Sequence, residues 1–351
     1  MSPQQTLPGT PCGPRLVFRY DFRAPGFGAH PADQLAAALD QAAYAETRGV
    51  DRVQISEHHH APDGYCPAPF VAAAAFAART RIMTVRLSAL IVPLHDPVRA
   101  AENLAYLDLL SRGRLQVTVA AGYRRVEFDA MNVPFVGRSR RVAEIVGFLR
   151  EAWKGEPVTF NGRPVLVRPT PFQGGPPIIV GGSGRQAAVL AAEIGDGFDP
   201  TVTSLANDYL QACQAIGRPP GILEPKVGPF FIHVSEDPER DRALLAPHVR
   251  YEMQTYAAWG AKASQFGATP DVSLDDVWKI GSHQVLTPDE CVSLIDSLDP
   301  RGALVLHPLA GGIPVGAANE SVALFVDQVV PRLNRGGPPP AGAAGADQPG
   351  L

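Results

Sequence analysis

The stretch Ser56-Glu57-His58-His59-His60 places one carboxylate and three imidazoles where an apolar run, Val53-Gln54-Ile55, stops before a turn at Pro62-Asp63-Gly64. Such residues make poor core material. At a strand end they can handle protons, contact a cofactor or bind a metal. Successive strand residues face opposite sides, so Ser56, His58 and His60 should share one face and Glu57 and His59 the other. Adjacent strand residues cannot all point at one ion, and the chain has no HExxH helix, so zinc is set behind the other uses. His59 and His60 read equally as rim residues. His58 reads as a cofactor-contacting or proton-handling group, because imidazole titrates near neutral pH, and Glu57 is its companion candidate.

A second chemical signal is Gly181-Gly182-Ser183-Gly184-Arg185, directly after Pro177-Ile178-Ile179-Val180 and before an apolar helix. Glycines there let backbone N–H groups approach an anion, and the helix start adds partial positive charge. Ser183 and Arg185 supply further phosphate donors; a merely tight strand-to-helix turn is the alternative. No Walker lysine loop is present, and no GxGxxG follows the first strand, which demotes ATP and nicotinamide chemistry. Ser88-Ala89, inside a small-residue strand end that runs to Pro93, would let a flat ring lie against backbone, or simply pack. Gly122-Tyr123 begins a mixed loop reaching Glu127, which is either a ligand contact or an exposed acid at a helix start. Cys66 lies just past the histidines and reads as a small apolar residue in a loop, with a place in the lining of the same pocket as the alternative.

These residues sit on alternating strand-like and helix-like segments. Strands are expected over 16–20, 51–56, 85–92, 115–120, 177–180, 196–200, 227–234 and 303–307. Helices are expected over 33–48, 69–80, from Pro97 to a stop at Gly113, 142–153 and 185–194, with a hairpin turn at Asn161-Gly162. Eight strands separated by helices point to an α/β (β/α)8 TIM barrel with insertions near 123–176 and 235–302. One barrel domain is expected over 14–335, with disordered Pro/Gly/Ala-rich tails over 1–13 and 336–351. The 351 residues are 45% hydrophobic and carry 31 basic against 35 acidic side chains, net charge -4. No basic stripe suggests nucleic acid, and no apolar run approaches the roughly 20 residues of a membrane span. Four scattered cysteines without a CxxC pair fit a cytoplasmic protein without disulfides.

Several of these segments together resemble the bacterial luciferase-like flavin-dependent monooxygenases. They are Glu57-His58-His59, Pro69 with the alanine-rich helix, Val92-Pro93-Leu94-His95-Asp96-Pro97-Val98-Arg99, Asp108 to Arg114, Gly181 to Ser183, and His307-Pro308-Leu309 with Val330-Pro331-Arg332-Leu333. The resemblance implies a TIM barrel holding reduced FMN at its C-terminal face. An NAD(P)H-dependent flavin reductase would deliver the FMN, and dioxygen would serve to oxygenate a small organic substrate. By position, His58 matches the family's active-site histidine. Ser88-Ala89 match its non-prolyl cis peptide against the flavin ring, and Gly181, Gly182 and Ser183 match its phosphate turn. A homodimer through the helices beside strands two and three is also implied. One departure stands out: luciferases carry an arginine where this chain has Ala121, with Arg138, Arg185 or a neighbour left to replace it. That departure keeps open a deazaflavin coenzyme passing hydride without dioxygen; a non-catalytic flavin-binding homologue is the other alternative.

Overall fold

The computed structural model describes residues 13–261 and 266–333. The expected tails fall almost wholly outside that range. Strand β1 (Arg15–Tyr20) is followed by α1 (Pro31–Glu46), β2 (Arg52–Ile55), α2 (Pro69–Arg79), β3 (Thr84–Leu90), α3 (Pro97–Ser111) and β4 (Leu115–Val119). Helices α4 (Arg125–Ala130) and α5 (Arg138–Ala152) precede an antiparallel hairpin of β5 (Val158–Phe160) and β6 (Arg163–Val165). Its turn has positive φ at both Asn161 and Gly162, as an Asn-Gly hairpin requires. Then come β7 (Ile178–Gly182), α6 (Arg185–Ile194), β8 (Gly197–Pro200) and α7 (Leu205–Ala215). After them run β9 (Ile222–Leu223), β10 (Lys226–Val227), β11 (Phe231–Val234), α8 (Pro238–Ala258), β12 (His283–Leu286), α9 (Pro288–Asp296), β13 (Ala303–Leu306) and α10 (Val315–Leu324).

The main sheet is parallel, with order β10-β13-β1-β2-β3-β4-β7-β8-β9. Its two ends, β9 and β10, belong to one stretch, residues 222–227, so the row of strands closes on itself with eight positions. The expected barrel is present. Its seventh strand is not where the sequence reading put it. Residues 227–234 divide: Lys226–Val227 close the cylinder, while Phe231–Val234 pair in parallel with β12 in a separate two-stranded sheet. Gly228 turns the chain there with φ +78°, and Pro229 cannot donate to a ladder. The 235–302 segment carries helices α8 and α9 together with the unanticipated strand β12.

Alternation along the strands sorts two environments. Leu16, Phe18, Tyr20, Val53, Ile55, Val85, Leu87 and Val117 are buried in the apolar sleeve against the helices. The opposite faces fill the lumen, where only Val17, Ala303 and Val305 form a small apolar cluster. Around it lie buried Arg19, Arg52, Gln54, Arg86, Thr118 and Asp199, with Ser88 partly buried beside them. This departs from the branched aliphatic layers usual inside such barrels. Arg15, Arg52 and Arg86 all converge on Glu224, between β9 and β10. Asp96 caps α3 by accepting from the Arg99 N–H, and Arg112 ends the helix in the left-handed region. Among the described residues, no helix is long and apolar enough to cross a membrane.

Candidate active site

All strands of the cylinder run the same way, so the segments after Ile55, Leu90, Val119 and Gly182 gather at one end. His58 lies there, 7% exposed, with its main-chain N–H donating to the Cys66 carbonyl. Its Nδ1 is 2.7 Å from Glu127 Oε1. An ionised carboxylate only accepts, so Nδ1 carries the proton and the Nε2 lone pair is left over. Nε2 faces the Tyr123 hydroxyl at 3.5 Å. The rings of Tyr65, Tyr123 and Trp259 meet the imidazole edge-on, with centroids 4.7, 5.4 and 4.9 Å away. Burial, against the opposing pull of Glu127, pushes the His58 pKa below its ordinary value, so the ring is neutral at pH 7.

Glu127 is the residue that the sequence left undecided, and the structure decides it. It is fully buried near the start of α4, and its Oε1 also accepts from the His59 N–H and from Arg124 Nη1, each at 3.0 Å. Arg124 in turn stacks on Trp259, 3.8 Å from the ring centroid.

Glu57 sits on the other face, as the alternation predicts. Its Oε1 accepts from His59 Nε2 at 2.6 Å and His95 Nε2 at 2.7 Å, and its Oε2 accepts from the Ile91 N–H at 2.6 Å. Burial would raise this carboxyl, but the two imidazole hydrogen bonds outweigh it and hold the pKa at about 2. These three groups are close enough to be weighed as metal donors, yet both carboxylate oxygens are already engaged with N–H donors. The cluster ties the end of β2 to the end of β3. His60 is exposed with φ +50° and joins neither group.

Ser88-Ala89 form a non-prolyl cis peptide. The β3–β4 register slips between Ser88 and Leu90, leaving Ala89 outside the ladder. The Ser88 carbonyl accepts from Ser56 Oγ at 3.0 Å, and Ser56 Oγ accepts from Arg19 Nε at 2.7 Å. Gly122 has φ +76°, and a side chain there would strike Ile91 and Phe128. At Gly181 a Cβ would stand 2.8 Å from Thr118 Cγ2, and at Gly182 it would run into Ala187. Both glycines are therefore required by close packing against β4 and the start of α6.

A cavity of about 480 Å³ adjoins the turn, lined by Ala121, Ser139, Arg140, Gly181, Arg185 and Gln186 among others. Arg185 is the first residue of α6 and Ser183 lies exposed just before it. Arg138 faces elsewhere: its Nε donates to the Gly122 carbonyl at 2.9 Å and its guanidinium stacks on Phe135. The cation beside the turn that the sequence reading did not name is Arg140, one helical step further on. Cys66 is buried, with its thiol pushed up to about 12 by burial, so it is no nucleophile at neutral pH.

The insertion roofs this end. Tyr256 and Trp259, at the end of α8, enclose fully buried Arg23 together with Tyr65, the guanidinium lying 4.4 to 4.7 Å from the three ring centroids. Arg23 also pairs with Asp63, and Arg19 donates to the hydroxyls of Tyr65 and Tyr256. These aromatics thus belong to the roof over His58.

Residues 19–285 match the family model described as luciferase-like monooxygenase. An F420-dependent glucose-6-phosphate dehydrogenase of Nakamurella multipartita is 28% identical, over 91% of this chain and 97% of that protein. The oxygenase component of the flavin-dependent trigonelline monooxygenase of Acinetobacter baylyi is 23% identical, over 83% and 87%. Among solved structures, the monooxygenase RslO1 from Streptomyces bottropensis superposes with a TM-score of 0.70 at 24% identity, covering 90% of this chain and 99% of that one.

Proposed function

Because the chain belongs to the luciferase-like monooxygenase family, whose members are flavin- or F420-dependent oxidoreductases, we propose that it is the oxygenating half of a two-component monooxygenase. In this reading it receives reduced FMN from an NAD(P)H-dependent reductase and uses dioxygen to oxygenate a small organic substrate. The contact between His58 Nδ1 and Glu127 carries the reading, because it fixes one tautomer and leaves a basic nitrogen at the barrel mouth. The residues present fit FMN. A phosphate would sit in the cavity beside the turn at Gly181 to Ser183, where Ser139, Arg140 and Arg185 offer a hydroxyl and two cations, and the ring would lie against Ser88-Ala89 and Gly122. When bound, the reduced cofactor supplies the electrons that activate dioxygen. His58 Nε2 accepts or returns a proton there, Tyr123 orients that nitrogen, and Tyr65 and Trp259 exclude water.

Ala121, in the position of the luciferase arginine, favours a second reading: a deazaflavin-dependent oxidoreductase transferring hydride on the same barrel. The Nakamurella relative supports it. Anaerobic titration with reduced FMN and with reduced deazaflavin, followed by admission of air, separates the two. The FMN reading expects tight binding of reduced FMN and reoxidation slower than that of free flavin. Binding of the deazaflavin alone would sink it. A homodimer is part of the proposal: α2 and α3 expose Val71, Tyr106 and Leu110, an apolar face suited to a second copy.

A further inference from the structure

Beneath the Ser88-Ala89 peptide the lumen holds an ion pair that the steps above do not use. Asp199, third residue of β8 and 8% exposed, stands opposite Gly181 in register. Its side chain crosses the lumen to β3, where Oδ2 accepts from Ser88 Oγ at 3.0 Å. Its Oδ1 lies 3.5 Å from Lys226 Nζ, which comes from the strand segment that closes the barrel. One residue therefore braces the strand of the glycine turn with its main chain and the ring-facing peptide with its carboxylate. Burial would raise the Asp199 pKa, but Lys226, Arg86 and the Ser88 hydrogen bond hold it at about 2, so it stays charged at any working pH. Lys226 is partly exposed and so more screened than its partner.

We propose that Asp199 and Lys226 form a charge couple that sets how strongly the site prefers reduced over oxidised cofactor, with Asp199 also positioning Ser88. This rests on the reading that the ring lies against Ser88-Ala89. Reduction by dithionite adds two electrons and, at neutral pH, one proton to oxidised FMN, leaving one extra negative charge on the ring. A buried carboxylate below that peptide opposes the added charge and a lysine favours it.

Both charges can be removed separately. The full-length protein is titrated with oxidised FMN by fluorescence quenching, and the midpoint potential of bound FMN then yields the ratio of affinities for the two redox states. Asp199→Asn should raise the preference for reduced FMN by about tenfold, and Lys226→Met should lower it by about threefold. Ser88→Ala keeps both charges and should weaken the two states alike. Opposite movement by the two charge variants is the signature, since a purely structural role would move neither ratio or both the same way. Ratios within twofold of wild type in both variants, or shifts of the same sign, overturn the couple. If Asp199→Asn fails to fold, Lys226→Met decides alone: a fall of about threefold in the preference for reduced FMN supports the couple, and an unchanged or raised preference overturns it. Wild-type protein that binds no flavin would instead defeat the functional reading and this inference together.

Discussion

Two histidine–carboxylate groups occupy opposite faces of the same strand end, and they differ in what they leave unused. On one face Glu57 spends both oxygens on N–H donors from His59, His95 and Ile91. On the other, Glu127 fixes one nitrogen of His58 while the second faces only a tyrosine hydroxyl at 3.5 Å. The residue types are the same, yet the first arrangement closes on itself and the second keeps a basic atom in reserve. Composition cannot separate a closed clamp from a histidine with an uncommitted ring nitrogen; the inventory of donors and acceptors can.

His58→Ala should break the comparison most sharply. Turnover should fall by about 10² to 10⁴-fold, far beyond what a modest stability loss of about 1 to 2 kcal/mol from the vacated ring space would explain, as steady-state kinetics and urea unfolding would record. A large loss of stability with activity intact would reverse the two assignments. Glu57→Gln should do the opposite, costing about 3 kcal/mol in urea unfolding because two buried imidazole donors lose a charged acceptor. The carboxyl is held at about 2, below its ordinary 4.5, so its contribution is full above pH 4.5 and fades as pH falls toward 2. The gap between wild type and Glu57→Gln should narrow over that window.

Glu127→Gln should cost turnover about 10 to 100-fold, since the amide no longer enforces one tautomer. Its pH profile sharpens the point. Glu127 raises the His58 pKa against the lowering effect of burial, so removing its charge should move the acid limb to lower pH. A limb that moves upward would mean that another group sets it. Tyr123→Phe is the mildest change, about threefold in kcat with unfolding unchanged, as suits one long hydrogen bond.

Much of this was legible in the chain. Strand and helix periodicity located the first six strands, and Asn161-Gly162 gave the hairpin because only a primed turn tolerates two positive φ values. The separation of Glu57 and His59 from His58 was readable from strand alternation, whereas His60, expected on the His58 face, leaves the pattern because β2 ends at Ile55 and the chain turns at His60 with φ +50°. Three other things were not legible. Residues 227–234 look like one apolar strand, and Gly228-Pro229 divides it for reasons of backbone geometry that hydrophobicity does not register. Glu127, near a helix start, carries the signature of a solvated acid, and only the packing of α4 against the β2 end buries it. Arg140 lies on a helix whose direction depends on the whole 123–176 excursion, so its nearness to Gly181 is a tertiary fact.

The cylinder is fastened at one joint. Residues 222–227 grip each neighbouring strand through only two residue pairs, whereas β1 and β2 share four. From inside, Glu224 pins this joint by drawing Arg15, Arg52 and Arg86 onto a single carboxylate. Sparse pairing predicts that the amide hydrogens of residues 222–227 exchange with solvent before those of β1 and β2, which hydrogen-exchange measurement would check. The most sparsely paired joint thus adjoins β8, the strand of Asp199, on the flank that carries the glycine turn and away from the histidines.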